Sequence, residues 1–182
     1  MTCKCIEVLS AEHDTILRIG DVLDSMAKRA DVDYEYDQQD VEALLNVLRV
    51  FGYEYHQAKE ESALFPVFAA ACSPSQYAAV QHALFQHEQD RWLVEGMQDA
   101  INRSNVAQFG EYARRLASIL RNHITMEDDI LFETIAATLS KEDDERVISE
   151  FEAFESEMQR RGKDALIDKL RVLEWKYLRK SA

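Results

Sequence analysis

Hydrophobic residues recur at intervals of three and four along almost the whole chain, with charged and polar residues between them. This spacing is typical of amphipathic α-helices, and no credible strand appears anywhere in the chain. The apolar positions form four main stripes: Ile6, Leu9, Ile16, Leu17 and Leu23; Leu45, Leu48, Ala63 and Val67; Val80, Leu84, Val94, Met97 and Ile101; and Leu116, Ile119, Leu120, Ile130 and Leu131.

Turn and capping signals divide these stripes into helices. Ser73 and Ser140 suit helix N-caps, Pro74 suits a first helical position, and Gly162 suits a helix end. The resulting prediction is six helices, at 4–30, 39–71, 74–102, 105–139, 141–161 and 163–180. Since short connections favour antiparallel neighbours, we expect an all-α fold with two parts. Residues 1–140 would form an up-down-up-down four-helix bundle, and residues 141–182 would add two C-terminal helices packed on it.

Composition and charge narrow the range of partners and locations expected for the chain. The chain has 182 residues, 47% of them hydrophobic, and a formal net charge of −13. This charge repels nucleic acid and anionic membranes, so neither is expected as a partner. No apolar run is long enough to span a bilayer, and the opening MTCKCIEVLSAEHD lacks the pattern of a signal peptide. With an odd number of cysteines, three, a cytoplasmic location is expected.

A repeated motif carries the candidate chemistry. The segment HQAKEESALFPVFAA begins at His56, and HITMEDDILFETIAA begins at His123. Both place a glutamate four residues after the histidine, Glu60 and Glu127, then a second acid, Leu-Phe and a closing Ala-Ala. One such pair would most often be a surface pair on a helix. Two in matching contexts indicate a pseudo-repeat of helix pairs.

Two further histidines fall at the same level of the predicted bundle. His13 on the first helix and His87 on the third lie within about one turn of His56 and His123, taking a rise of about 1.5 Å per residue. Because each of these histidines also continues the apolar stripe of its helix, each of the four helices is predicted to carry one inward-facing histidine. Taken alone, any one of them would more often be filler in a core or on a surface. Two buried carboxylates beside four imidazoles need a common partner, which favours a dinuclear iron centre, with manganese as the alternative.

These segments, together with AEHD at His13 and QHEQDRWLV at His87, resemble the hemerythrin-like family of HHE cation-binding domains over about residues 5–140. The resemblance implies two iron ions joined by an oxo or hydroxo bridge. It implies that His13 and His56 bind one iron, that His87 and His123 bind the other, and that both irons are bridged by the pair Glu60 and Glu127.

The chain departs from the oxygen-carrying members at two positions. Arg91 stands where they have a second histidine on the third helix, and either it would contact a bridging carboxylate or Asp90 or Glu88 would complete the shell. Asp128 matches their aspartate five residues after the last histidine, yet Glu127 fits bacterial and iron-sensing members better. With one histidine fewer, the centre would keep about two open coordination positions, where the carriers keep about one.

The remaining polar residues nearby receive simpler interpretations. Glu61 and Asp128, each one residue past a bridging candidate, are expected to be solvated or to support the ligands. His82 is about 140° round its helix from His87 and is expected at the surface. Cys3 and Cys5, two residues apart on a helix, are expected to diverge as frayed terminal thiols.

Three functions from different classes remain open. The leading one is a non-haem diiron protein that binds, senses or reduces O2, peroxide or NO, with peroxidase-like or catalase-like turnover as an open question. The second is an iron-handling protein, a sensor, store or donor without turnover. The third is a metal-free helical interaction module. The oligomeric state and protein partners are not determined by the sequence.

Overall fold

The computed structural model describes residues 3–179, and every regular element in that range is helical. The all-α prediction is confirmed, with no strand among the described residues. The largest difference in a helix end is at the first helix, predicted to end at 30 and found to end at Asp33. The six helices are α1, Lys4–Asp33; α2, residues 38–71; α3, Pro74–Asn102; α4, residues 106–138; α5, Lys141–Arg160; and α6, Lys163–Leu178.

Helices α2 and α4 each contain π-helical turns. In α2, Gln38–Val47 is α-helical, Leu48–Gln57 and Glu60–Leu64 are π-helical, and Phe65–Ala71 is α-helical again. In α4, Val106–Met126 and Phe132–Thr138 are α-helical and Glu127–Leu131 between them is π-helical. The sequence pattern did not predict these wide turns.

The helix ends follow the signals in the sequence. Ser73 caps α3 in a capping box with Gln76, and Ser140 caps α5 in the same way with Asp143. Each box satisfies backbone N–H groups that the first turn of a helix leaves without partners. Gly162 separates α5 from α6 with a φ of +84°, a left-handed conformation that glycine adopts without a Cβ clash.

Helix α4 packs most extensively against α1 and α3. Helix α6 packs against both α1 and α2, and α5 packs against α1 and the π-helical part of α2. The two C-terminal helices therefore cover the first two helices of the chain.

The apolar interior forms two clusters. The larger contains Ile16, Phe51, Leu93 and Leu120 with many neighbours, and the smaller contains Leu9, Ala63, Ala83 and Leu131 with theirs. Along each of the helices α1 to α4, a histidine falls between a residue of one cluster and a residue of the other. The interior is thus two apolar regions separated by one polar layer.

Among residues 3–179, no helix is long and apolar enough to cross a bilayer.

Candidate metal centre

The polar layer is built from four imidazoles, one from each of α1 to α4. His13, His56, His87 and His123 are between 0% and 3% exposed. Their rings form two pairs of equal spacing, His13 with His56 and His87 with His123, each with ring centroids 4.8 Å apart. The sequence prediction placed these four residues at one level, and the structure brings them together in that arrangement.

Two glutamates without exposed surface complete the layer. Glu60 places Oε1 3.6 Å from His56 Nε2 and Oε2 3.4 Å from His87 Nε2. Glu127 places Oε2 3.3 Å from His13 Nε2 and 3.2 Å from His123 Nε2. Each carboxylate therefore contacts one histidine of each pair and spans the two halves of the layer.

The outer ring nitrogen of every one of these histidines has a fixed partner. Nδ1 of His13 lies 3.0 Å from Asp128, and Nδ1 of His56 lies 3.0 Å from Glu12. Nδ1 of His87 lies 2.8 Å from Glu61, and Nδ1 of His123 lies 3.0 Å from the side-chain oxygen of Gln86. An acceptor at Nδ1 holds the proton there and leaves Nε2 with a free lone pair that points inward. Metal-binding histidines are oriented in this way in proteins.

The inward atoms fit a pair of transition-metal ions. Nε2 of His13 and His56, and all four carboxylate oxygens of Glu60 and Glu127, are buried without a hydrogen-bond partner in the described chain. Leaving so many polar atoms unsatisfied in a folded protein is costly unless something binds them. Two donors about 2.1 Å from one ion and about 90° apart lie about 3.0 Å from each other, close to the separations seen here.

The same atoms group into two overlapping sets of candidate ligands. One set is His13, His56, Glu60 and Glu127, and the other is His87, His123 and Glu127, each with ligand atoms within 4.8 Å of one another. Imidazole and carboxylate together, without thiolate, form a donor set suited to iron or manganese.

Comparison with protein families agrees with this geometry. The family model described as the hemerythrin HHE cation-binding domain matches residues 5–135, which is most of the chain. The chain belongs to the hemerythrin HHE cation-binding family. Neither the curated proteins nor the solved structures give a significant match. The family match spans α1 to α4 up to Ile135 and ends before α5 and α6.

The wide π turns of this hemerythrin domain coincide with its ligand candidates. His56 lies in the π-helical segment Leu48–Gln57, and Glu60 opens the next one. Glu127 opens the π-helical segment of α4. A π turn inserts an additional residue into the helical repeat and changes the direction of the side chains that follow it. Such turns occur frequently at functional sites, and here two of them begin at the glutamates and one contains His56.

Charge in the metal-free layer is unevenly distributed. Burial raises the pKa of Glu60 well above its usual range, helped by the negative Glu127. Burial acts in the same direction on Glu127, but the neighbouring histidines outweigh it and lower the pKa to about 2. Burial alone would lower the pKa of His13, yet Asp128 and Glu127 raise it to about 9. For His123, burial dominates and lowers the pKa to about 4. At neutral pH Glu127 is thus an ionised carboxylate and His123 a neutral imidazole, the forms that bind metals. Glu60 and His13 hold protons in the metal-free layer, and these protons would leave when a metal binds.

Glu12 is a buried residue beside this layer that the sequence interpretation missed. It is 8% exposed, and its two oxygens contact His56 Nδ1 and the ammonium group of Lys59, which is only 1% exposed. The Lys59 ammonium also lies 3.8 Å from the centroid of the Tyr55 ring. The signal was present in the sequence, because Glu12 directly precedes His13, but an acid next to a histidine is too common to single out.

Arg91 does not contact a bridging carboxylate, so that expectation was wrong. Its guanidinium donates to Glu61 and to Gln57, and it pairs with the exposed Glu88. Glu61 in turn accepts from His87 Nδ1. The arginine therefore acts one step further out, by holding the carboxylate that orients His87. Glu61 and Asp128 each hold the ring of a histidine, His87 and His13 respectively. This supporting role is one of the two interpretations that the sequence left open for them.

Asp90 lies deep in the same helix and is 0% exposed, with neither oxygen hydrogen-bonded within the described chain. Burial, and after it the charge of Glu127, raises its pKa well above the usual range. The hydroxyl of Tyr53 is also buried without a partner in the described chain, and its pKa is raised by burial and then by Asp90. His82 is exposed, as the helical angle predicted.

Proposed function

We propose that the chain is a non-haem diiron protein that binds, senses or reduces a small oxidant such as O2, peroxide or NO. The observation that carries this proposal is the symmetry of the polar layer. Four imidazoles have their Nδ1 atoms held from outside, and two fully buried carboxylates have no hydrogen-bond partner within residues 3–179. A metal-free interaction module has no use for such a layer and would carry its full desolvation cost.

The ligand assignment follows the contacts. His13 and His56 would hold one iron and His87 and His123 the other, since these are the two ring pairs. Glu60 and Glu127 would bridge, since each approaches one histidine of each pair. Manganese suits the same ligands and is the alternative metal.

The topology that we propose is an antiparallel up-down-up-down bundle of α1 to α4, with α5 and α6 as an added pair. Short connections support it, since two residues join α2 to α3 and three join α3 to α4. The presence of one histidine per helix in a single layer also supports it, because helices of this length running in alternate directions meet at mid-height.

The protein's own groups position the ligands and control charge. Asp128, Glu12, Glu61 and Gln86 fix the four rings, so that little side-chain entropy remains to be lost on metal binding. A bound diiron pair would supply Lewis-acid and redox chemistry at its open positions. Arg91 leaves one position without the histidine that oxygen carriers have, which favours reaction or sensing over carriage alone.

The test is metal quantification with optical spectra. Freshly purified protein, and protein reconstituted anaerobically with ferrous iron, should hold about two irons per chain. Spectra taken before and after adding O2, peroxide or NO should change with each oxidant that the centre binds. Fewer than about one transition metal per chain after reconstitution would refute the diiron proposal.

A second function, iron handling without turnover, is favoured by the burial of the layer. All six candidate ligands are at most 3% exposed, so metal exchange requires the helices to separate. Stability would then report iron occupancy, since a metal bound only to the native state stabilises that state. Multiple turnovers of peroxide would favour the first function. Reversible iron loss coupled to unfolding, without turnover, would favour the second.

A further inference from the structure

The first turn of α1 brings two cysteines together against the expectation from the sequence. Cys3 precedes the helix, with φ −89° and ψ 108°, and its Sγ lies 3.4 Å from Sγ of Cys5. Two residues apart on a helix would diverge by about 200°. Because Cys3 has an extended backbone, its side chain turns back toward Cys5 instead. The interpretation of these residues as frayed, separate thiols was wrong, and Cys5 is 0% exposed.

A carboxylate from another part of the chain completes a triangle of donors. Oδ1 of Asp144, in the first turn of α5, lies 3.4 Å from Cys3 Sγ. The same carboxylate accepts from the backbone N–H of Lys4 at 3.0 Å and of Cys5 at 2.9 Å, which fixes its position. The ligand atoms of the three side chains lie within 4.8 Å of one another, although Asp144 is distant from the two cysteines along the chain.

An open cavity borders this triangle. It has a volume of about 300 Å³ and is lined by residues from the start of the chain and from the junction of α4 and α5, among them Cys3, Asp144, Ala136, Leu139 and Ile148. Cys3 and Asp144 therefore border accessible space, while Cys5 is buried behind them. This is the layout of a metal site with protein ligands and a free position for water or another small ligand.

We propose that Cys3, Cys5 and Asp144 form a second metal site, for a thiophilic cation of the Zn²⁺ type, separate from the histidine layer. In a tetrahedral site with Zn–S bonds of about 2.3 Å, two sulfurs lie about 3.8 Å apart, so the 3.4 Å in the structure needs little adjustment. With three protein ligands, the open fourth position would lie on the side of Cys3 and Asp144, the two donors that line the cavity. The ion would tie the start of α1 to the start of α5.

The donor types separate this site from the first. Thiolates select borderline and soft metals, whereas the imidazole and carboxylate set of the histidine layer suits iron or manganese. The hydrogen bond from Cys5 lowers the pKa of the Cys3 thiol, while the same contact raises that of Cys5. One thiol of the pair thus loses its proton more easily than a free cysteine and the other less easily, and Zn²⁺ binding to both sulfurs would release both protons to solvent.

The experiment uses the full chain, reduced, kept anaerobic and loaded first with ferrous iron so that the histidine layer is occupied. Co²⁺ is then titrated as a spectroscopic substitute for Zn²⁺. We expect thiolate-to-cobalt charge-transfer absorption in the near ultraviolet, saturating at about one Co²⁺ per chain and abolished by excess Zn²⁺. Imidazole and carboxylate ligands do not produce this absorption, so cobalt in the histidine layer would not imitate it.

Variants assign the signal. Cys3→Ser and Cys5→Ser should each abolish the absorption, and Asp144→Asn should weaken binding while its remaining oxygen still accepts from the helix backbone. Cys72→Ser is the matched control, since Cys72 is the remaining cysteine and is not one of the three donors grouped here, and it should keep the full signal. Cys3 is half-buried, so its substitution tests the site even if the Cys5 variant fails to fold.

The outcomes that would overturn the proposal are distinct. No absorption in the wild-type protein would exclude both thiols as ligands. Full absorption retained in the Cys3 variant would exclude Cys3, and with it the site as proposed. Loss of the absorption in the Cys72 variant would assign the signal to Cys72 and not to the proposed site. If the reduced protein binds no cobalt here but air converts Cys3 and Cys5 to a disulfide, the pair is a redox couple and the metal site is refuted.

Discussion

Replacing Glu12 by glutamine tests the support of the proposed metal layer most sharply, because this carboxylate has two tasks. It accepts from His56 Nδ1, and it is the counter-ion of Lys59, whose ammonium group is almost completely buried. Glutamine keeps an acceptor oxygen for the histidine but removes the charge. The substitution therefore leaves the orientation of the ring largely intact and leaves Lys59 buried without its partner.

The expected loss of stability follows from this burial. Breaking a buried ion pair by removing one partner costs about 3–5 kcal/mol, since the remaining charge stays desolvated. With a urea dependence of about 2 kcal/mol per molar, typical of a chain of this size, the unfolding midpoint should fall by about 1.5–2.5 M. Metal affinity should fall about 10-fold, the lower end of the usual range for changes beside a metal ligand, because the hydrogen bond is retained.

Glu61→Gln is the matched control. Glu61 has the equivalent position beside His87, and its cationic partner is Arg91, but both side chains are about 30% exposed. Because a solvent-exposed pair is worth roughly 0–1 kcal/mol, this variant should lose little stability while its metal affinity falls by a similar factor. Stability is measured by urea unfolding of the metal-free protein, followed by far-ultraviolet circular dichroism. Affinity is measured by competition with a chelator.

The pH dependence gives a second readout. Burial lowers the pKa of Lys59 from its usual value of 10.5, and Glu12 works against this shift. In Glu12→Gln the native pKa falls further, so the unfolded state binds more protons than the native state and stability rises with pH. The deficit relative to wild type should therefore shrink as pH increases toward 10.5. Equal stability losses for the Glu12 and Glu61 variants, or a deficit that does not change with pH, would refute this reasoning.

Three further predictions concern the polar layer. His56→Ala should remove metal, whereas His82→Ala should leave occupancy and spectra unchanged, measured by metal analysis and absorption. Glu127→Gln should weaken the binding of both metal ions and lower the melting temperature. Asp128→Asn should lower metal affinity only about 10-fold. The reverse result would make Asp128 the ligand. Asp90→Asn should stabilise the metal-free protein at neutral pH by more than about 1 kcal/mol, because the raised pKa of Asp90 costs stability above pH 3.8. Urea unfolding at neutral and at acidic pH measures this gain, and an equal gain at both pH values would contradict the prediction.

The fold was predictable because local signals agreed with one another. Three-and-four spacing, a capping box at Ser73 and another at Ser140, and a glycine at 162 each determine structure within a few neighbouring residues. The four histidines were predictable as a group because each stands at a fixed distance from a helix end, so counting residues places them at one height.

The surrounding contacts were not predictable, because they depend on rotation and approach between helices. Glu12 reaches His56 and Gln86 reaches His123 across helix interfaces, and no spacing within one helix encodes such a contact. Arg91 has a length that allows several partners, and only packing selects Glu61. The position of the Cys3 side chain was predicted wrongly because helical geometry was assumed for Cys3, which lies one residue before the start of α1.

The π turns at Glu60–Leu64 and Glu127–Leu131 bear on how the chain arose. Each adds one residue to a helix and begins at the glutamate of its copy of the repeated motif. Two independent insertions at corresponding positions are less economical than a single one that preceded the duplication. The simplest history is an ancestral helix pair that already had the widened turn and associated as two copies around one centre. Fusion into a single chain then let each half diverge, which would account for Arg91 next to one histidine pair and Lys59 next to the other.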